Sequence, residues 1–371
     1  MAAPGPRTKE RTLARMLIRE TLRVRKGESV TIEAWSHSLS WATACAIEAY
    51  QQGAHPIILY HDDAAFWDLV AAGRSRELGE VGDHEYAALS KTDAYVYFEG
   101  PEDRGRYHAL RESERSALVA WEGKWWSTCR KAGTRIAWVL LGRAVPGSAR
   151  YHGVPLGKWR NELYRASLVD PRSMKRAGDR IARRFATGRR VTIRHPNGTN
   201  LELRLRGRTP IVHDGRLDPA DTRAGAMMEE VPSGFVPVAV DERFAEGRIR
   251  SNVRALAMDG RTRIEGADWQ FVGGRLRHFT HQRGHGPLAK EFAAAPPEGR
   301  DRPGILSIGL NPKISMAPLV ADQKLGRVMF MVGGNHSQGG VNDNPFRAYV
   351  LLDGATVDVD GRPVLKNGRI V

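Results

Sequence analysis

The chain has 371 residues, 41% of them hydrophobic and 27% charged, which is enough apolar material for a buried core and excludes a disordered or fibrous protein. Its 57 Lys and Arg residues outnumber the 42 Asp and Glu residues, so the net charge is +15. No apolar run reaches membrane-spanning length, and the two cysteines cannot build a disulfide framework, so we expect a cytoplasmic protein without a membrane partner.

The first half of the sequence alternates helix and strand signals. Apolar residues at helical spacing predict a helix over 8–22, and the Ala-rich segment 39–52 predicts another that Gly53 closes. Further helices are predicted over 64–72 and 173–186. Strands are predicted over 29–34, 56–60, 94–98 and 136–141. This alternation predicts an α/β domain with a mostly parallel sheet.

The second half has a different rhythm, with short strands between turns. Two alternating segments, 190–194 and 201–205, flank Pro196-Asn197-Gly198 and predict a hairpin. Four more strands are predicted over 305–308, 328–332, 349–352 and 356–359. The sequence therefore predicts two domains, an α/β domain over 1–185 and a β-rich domain over 186–371.

Two local features bear on ligands without deciding the chemistry. The loop Gly100-Pro101-Glu102-Asp103 follows the third strand, where parallel sheets bind ligands, although an ordinary polar turn is the simpler interpretation. The Arg pairs at 183–184 and 189–190 are small and scattered, and no basic and aromatic module accompanies them. Nucleic acid is therefore not expected as a partner.

A histidine cluster offers a possible metal site. His278, His281 and His285 are closely spaced, as in some zinc sites, and Glu291 is the one suitably spaced carboxylate. Glycines interrupt any helix there, so three exposed loop histidines are the simpler interpretation.

Several short blocks recur in a familiar order over nearly the whole chain. They are the early segment Leu22–Gly53, Pro232-Ser233-Gly234, Gly309-Leu310-Asn311-Pro312, Lys324-Leu325-Gly326 and Gly333. In these blocks the chain resembles the aminopeptidase T and aminopeptidase S group, the M29 metallopeptidases. The resemblance implies an α/β N-terminal domain, a β-rich C-terminal domain and a homodimer with an enclosed active site.

The M29 resemblance also implies a reaction, the removal of N-terminal amino acids by two divalent ions. Two Glu, two His and an Asp hold the ions in that family, with a Tyr nearby. Two close cations polarise the carbonyl and supply a hydroxide nucleophile. The related iron-dependent pyridine-ring dioxygenases need a His-x-Asp pair as well.

This sequence departs from that pattern at the ligand positions. The family's Pro-Ser-Gly-Glu ends here in Phe235, Gly304 is followed by Ile305 instead of Glu, and the strand His becomes Met329. His336 stands at the Tyr position, and Arg347 and Tyr349 stand at the closing His-x-Asp pair. Phe, Ile and Met cannot bind a hard divalent ion, so we expect no metal cofactor and neither family chemistry at this site.

The remaining residues predict an apolar-walled pocket for a small molecule, in which Arg347 holds a carboxylate or another anion. The predicted substrate-binding residues are Arg347, Phe235, Ile305, Met329 and Asn311. His336 and Tyr349 are predicted to be catalytic, with Tyr349 on the same side of its strand as Arg347. In the alternative, the pocket is a filled, inactive site and Arg347 pairs with Asp343 or Asp353.

Three functions stay open at this point. The first is a metal-independent enzyme that acts by acid/base chemistry on an amino-acid- or peptide-derived small molecule. The second is a genuine metal-dependent aminopeptidase with displaced ligands from the cluster of His278, His281, His285 and Glu291. The third is a non-catalytic protein that binds a ligand or nucleic acid.

Overall fold

The computed structural model describes residues 8–223, 225–315 and 320–371. Its helices are α1 (Thr8–Arg15), α2 (Leu39–Gln51), α3 (Asp63–Ala71), α4 (Ser75–Leu78), α5 (Asp83–Leu89), α6 (Arg104–Ala109), α7 (Glu112–Leu118), α8 (Glu122–Ala132), α9 (Pro146–His152), α10 (Leu156–Ser167), α11 (Pro171–Thr187), α12 (Pro219–Arg223) and α13 (His285–Ala294). A π-helical turn, Met16–Thr21, continues α1. Shorter 3₁₀ turns cover Ser36–Ser38, Leu140–Arg143, Ala321–Gln323 and His336–Gln338.

The strands follow the alternation expected from the sequence. They are β1 (Ser29–Trp35), β2 (His55–His61), β3 (Ala94–Phe98), β4 (Arg135–Val139), β5 (Arg190–His195), β6 (Thr199–Arg204), β7 (Met228–Val231), β8 (Phe235–Ala239), β9 (Ala245–Arg250), β10 (Ala255–Leu256), β11 (Arg263–Ile264), β12 (Asp268–Val272), β13 (Arg275–Thr280), β14 (Pro303–Gly309), β15 (Val328–Gly333), β16 (Arg347–Leu352), β17 (Thr356–Val359), β18 (Arg362–Lys366) and β19 (Arg369–Ile370).

Contacts divide the chain into two compact units, and neither unit is one continuous segment. The first contains the described residues up to Leu168 together with Gly215–Pro232, and the second contains Val169–Asp214 with Ser233–Val371. This division differs from a single boundary at 185/186. Helix α11 packs its apolar face into the core of the second unit, and β7 pairs with β4 in the first.

The first unit is built on a five-stranded sheet in the order β2-β1-β3-β4-β7, with every pairing parallel. The chain moves outward from β1 to β2 and then returns to the other side of β1 with β3. The strand order therefore reverses beside β1, and open α/β sheets bind ligands at the carboxyl edge of such a reversal. The predicted α/β domain with a parallel sheet is confirmed.

Both cysteines of the chain lie in the first unit and are buried as free thiols, Cys45 on α2 and Cys129 on α8. Burial raises the pKa of both thiols, that of Cys129 to about 12, so neither is a thiolate at neutral pH. Among the described residues, no helix combines the length and the apolar composition needed to cross a bilayer.

The second unit contains antiparallel sheets, as the β-rich prediction requires. One has eight strands in the order β13-β12-β9-β6-β5-β17-β18-β19, and another has four in the order β16-β15-β14-β8. The predicted hairpin is β5 paired with β6. In the four-stranded sheet, alternate residues point into the main core of this unit; examples are Val236, Val238, Leu306, Ile308, Phe330, Val332, Val350 and Leu352.

Candidate functional site

The other face of the four-stranded sheet carries five of the residues predicted for the site. Side chains alternate along each strand, and the register aligns Phe235 with Gly309, Ile305 with Met331, and Met331 with Tyr349. Arg347 aligns with Gly333 in the same way. We call this surface the site face; its side chains are Phe235, Pro237, Ala239, Ile305, Ser307, Met329, Met331, Arg347, Tyr349 and Leu351.

The centre of the site face is apolar and closely packed. Ile305, Met329, Met331 and Leu351 form a cluster with Ala321 from a 3₁₀ turn. Ile305 and Met329 keep 5% and 8% of their surface exposed, whereas the core-facing strand neighbours on the same strands are completely buried. The site face is therefore an apolar surface whose side chains keep slight solvent exposure, unlike the fully buried core on the other side of the sheet.

Tyr349 lies on this surface as a half-buried hydrogen-bond donor. Its hydroxyl donates to the carbonyl oxygen of Leu256 on β10. Burial raises the pKa of Tyr349, and the nearby carboxylates of Asp322 and Asp259 raise it further. The hydroxyl consequently stays protonated at neutral pH and is engaged as a donor.

A Tyr349→Phe change should lower the free energy of unfolding by about 1–2 kcal/mol, because it leaves the Leu256 carbonyl without its donor. Urea denaturation followed by tryptophan fluorescence measures the loss. Tyr60→Phe is the control, since its hydroxyl bonds only exposed groups near Asp62. An unchanged unfolding midpoint for Tyr349→Phe would contradict this hydrogen bond.

Arg347 opens β16 as a half-buried cation, and it forms no ion pair with any described residue. Its Nε atom is buried without a hydrogen-bond acceptor. The alternative interpretation offered two partners, but Asp353 bonds Lys324 and Arg327 instead, and the exposed Asp343 makes no ion pair with Arg347. Among the described residues, Arg347 is therefore a half-buried cation without a counterion.

Two other predicted residues occupy different positions. His336 is exposed at the start of its 3₁₀ turn, and no hydrogen bond or ion pair joins it to Arg347 or Tyr349. Asn311 is completely buried, where its Nδ2 donates to the Ser233 carbonyl over 2.7 Å and its Oδ1 accepts from the Lys313 N–H over 3.0 Å. Asn311 therefore ties backbone segments together.

The structure adds three polar groups that the sequence interpretation missed. The His213 ring stacks on Phe235, with centroids 4.3 Å apart and planes 14° apart. Burial raises the pKa of the half-buried Asp322, against the opposing charges of Arg327 and His213. The Ser307 Oγ is fully buried without a hydrogen-bond partner among the described residues. His213 lies in a loop and Asp322 in a 3₁₀ turn, and no sequence pattern marked either residue as part of the site.

The predicted picture of three exposed loop histidines is wrong in two respects. His278 is exposed but lies on β13, His281 is buried, and His285 begins α13. His281 accepts a hydrogen bond from the Trp269 Nε1 over 3.4 Å, and burial lowers its pKa to about 4. The described residues of the second unit contain no group of three His, Cys, Asp or Glu side chains arranged to hold a metal ion.

Comparison with known proteins identifies the fold. No protein-family model and no curated protein matches the chain. The M29 aminopeptidase AmpT from Thermus thermophilus superposes with a TM-score of 0.75 at 17% identity, over 98% of this chain and 99% of that chain. The 2,5-dihydroxypyridine dioxygenase from Pseudomonas putida KT2440 superposes with a TM-score of 0.62 at 16% identity, over 99% and 98% of the two chains.

The chain therefore has an M29 aminopeptidase-like fold, and this part of the predicted resemblance is confirmed. The particular fold is an α/β unit with a parallel sheet and a β-rich unit with antiparallel sheets.

Proposed function

We propose that the protein is a hydrolase-fold enzyme that acts without a two-metal centre on a small amino-acid- or peptide-derived molecule with a free carboxylate. The observation that carries the proposal is the unpaired Arg347 on the apolar site face. The predicted homodimer and cytoplasmic location stay predictions.

The charge of Arg347 supports an anionic ligand. A half-buried guanidinium without a counterion is costly, and a carboxylate can accept two parallel hydrogen bonds from it. The neighbouring Phe235, Ile305 and Met329 side chains would contact the apolar part of the same molecule.

The residue types on the site face support chemistry without a dinuclear centre. None of its strand residues is a His, Asp or Glu, and hard divalent ions require oxygen or imidazole ligands. The position that opens β8 is Phe235, whose ring is stacked on His213.

Proton transfer in this proposal falls to Asp322, supported by Tyr349. Burial raises the pKa of Asp322, which favours the protonated carboxyl that a general acid requires. The Tyr349 hydroxyl donates its one hydrogen to the Leu256 carbonyl, so it would offer its oxygen to the substrate as a fixed hydrogen-bond acceptor. His336, the other predicted catalytic residue, would need to move from its exposed turn before it could reach Arg347 or Tyr349.

The test is calorimetric titration in EDTA with a panel of dipeptides and the same dipeptides as C-terminal amides. We expect the free acids to bind and the amides to bind poorly. Arg347→Gln should weaken acid binding by roughly 30-fold, because an anion loses its cation partner. Arg362→Gln, an exposed arginine on β18, is the matched control. Equal binding of acids and amides, or full affinity in Arg347→Gln, would exclude the carboxylate site.

Turnover separates an enzyme from a binding protein. Products from the bound dipeptides are measured by mass spectrometry in EDTA, with Asp322→Asn expected to retain binding and lose turnover. Cleavage of aminoacyl-nitroanilides that requires added zinc, cobalt or manganese would support a genuine aminopeptidase instead.

A further inference from the structure

Three potential metal ligands converge at the carboxyl edge of the five-stranded sheet in the first unit. His37 follows β1, Asp63 follows β2 and Glu102 follows β3. One nitrogen or oxygen atom from each lies within 4.8 Å of those from the other two. Across residues 8–223, 225–315 and 320–371 this is the one such group. It stands where the strand order reverses, the position at which parallel sheets bind ligands.

His37 is held with one nitrogen available as a ligand. Only 7% of its side chain is exposed. Its Nε2 donates to the carbonyl oxygen of Gly142 over 3.0 Å, in the turn that follows β4, so the ring hydrogen is on Nε2. In the neutral ring, the lone pair of Nδ1 points away from Gly142, and Nδ1 is buried without a hydrogen-bond partner. Metal-bound histidines are fixed in this way through their second nitrogen.

Asp63 presents a matching free oxygen. Its Oδ1 accepts the backbone N–H of Glu102 over 2.7 Å, and its own N–H donates to Ser36 Oγ over 3.0 Å. Its Oδ2 is buried without a hydrogen-bond partner and lies 3.6 Å from the Nδ1 of His37.

The separation of these two atoms is longer than a hydrogen bond and fits either a bridging ion or a His37–Asp63 ion pair. A charge-assisted N–H···O bond spans about 2.7–2.9 Å, so 3.6 Å is too long for one. An ion bonded to both atoms at about 2.0–2.2 Å holds them roughly 3.3–3.7 Å apart at near-tetrahedral angles. The observed spacing fits a bridging ion.

The surrounding loop is built to present Glu102. A Cβ atom at Gly100 would lie 2.1 Å from the Trp35 ring, so the absence of a side chain lets this loop pack against the end of β1. The other two carboxylates near this loop are engaged elsewhere. Glu99 is bonded to Arg143 and to the Trp138 Nε1, and Asp103 caps α6 by accepting the Arg106 N–H. Glu102 is therefore the carboxylate that the loop leaves for the third ligand position.

We propose that His37, Asp63 and Glu102 bind a divalent ion of the zinc or manganese class. One imidazole nitrogen and two carboxylate oxygens suit both ions, and three protein ligands leave a coordination position for water or a small ligand. The site belongs to the first unit and is independent of the carboxylate site proposed for the second.

Calorimetric titration of EDTA-stripped, desalted protein with ZnCl₂ and with MnCl₂ tests this proposal. We expect one of the two ions to bind with one ion per chain through this site. His37→Gln, Asp63→Asn and Glu102→Gln should each weaken that binding at least about tenfold. The control is His61→Gln, because His61 pairs with Glu33 at 3.1 Å on the neighbouring strands without a third ligand. No binding to wild-type protein, or equal binding to all variants, would overturn the proposal.

A spectroscopic measurement on wild-type protein avoids reliance on variants that fold poorly. In protein labelled with ¹⁵N-histidine, zinc should shift the Nδ1 resonance of one histidine whose Nε2 stays protonated. An Nδ1 signal that responds only to pH, and neither shifts with zinc nor broadens with paramagnetic manganese, would identify a simple His37–Asp63 ion pair and overturn the metal site. Dipeptide binding in EDTA is a separate readout, so failure of either proposal leaves the other testable.

Discussion

Asp353→Ala is expected to lower the free energy of unfolding by about 3 kcal/mol, because it leaves the buried Arg327 guanidinium without its counterion. The Arg327 side chain is 3% exposed and bonds both carboxylate oxygens of Asp353, at 2.7 and 2.8 Å. Lys324 shares the same carboxylate. Removal of one partner from a buried pair typically costs about 3–5 kcal/mol, and the partial exposure of Asp353 places the effect at the lower end.

Urea denaturation at pH 7 measures this loss, with Asp343→Ala as the control. Asp343 is another loop carboxylate of the second unit, but it is exposed and forms no ion pair with any described residue, so its removal should change stability by less than about 0.5 kcal/mol. Similar midpoints for the two variants would show that Arg327 does not depend on Asp353. Because Arg327 also donates to the Ala321 carbonyl, Asp353→Ala should weaken dipeptide binding at the neighbouring site face.

Glu242 should make the protein sensitive to acid between about pH 5 and pH 2. Burial alone would raise the pKa of this carboxyl, but hydrogen bonds from Arg208, Asn335 and the Val341 N–H lower it to about 2. The folded pKa therefore lies below the unfolded value of about 4.3. The stabilisation is complete above the unfolded pKa and is lost as the pH falls through the folded pKa.

The corresponding variant is Glu242→Gln, with Glu298→Gln as an exposed control. At pH 7 we expect Glu242→Gln to be less stable than wild type by about 2–3 kcal/mol, from a pKa shift of roughly two units. The difference should shrink as the pH approaches 2, where the wild-type carboxyl gains its proton. Unfolding midpoints at pH 7, 5 and 3 provide the measurement. A difference that does not change with pH would mean that packing, not charge, is responsible.

The fold could be predicted from local helix and strand patterns, whereas the residues of the site face were predicted from the M29 resemblance, which placed Phe235, Ile305 and Met329 at the family's ligand positions. Strand alternation places Arg347 and Tyr349 on one side without any knowledge of their neighbours. The residues Asp322 and His213 could not be predicted, because they reach the site face through loops whose path depends on tertiary packing. The alternative prediction that Arg347 pairs with Asp353 is wrong for the same reason, since Asp353 is close in sequence but bonds Arg327.

The proposed metal ligands illustrate the same limit. The sequence drew attention to the loop that contains Glu102, because it follows a strand. Its partners His37 and Asp63 follow two other strands, and only the order β2-β1-β3 brings the three loops together. Strand order is set by packing over the whole sheet, and no local pattern in one sequence determines it.

Residues Gly215–Pro232 complete the first unit, although the chain has by then already contributed Val169–Asp214 to the second unit. Strand β7 is the edge of the parallel sheet, yet the ribosome synthesises it after α11, β5 and β6, which belong to the second unit. Until Val231 emerges, the nascent first unit exposes the backbone of β4 as an open edge. Unpaired edges on partly folded chains are templates for aggregation, so crowded translation and slow elongation across this stretch are the conditions under which the protein is most exposed to misassembly.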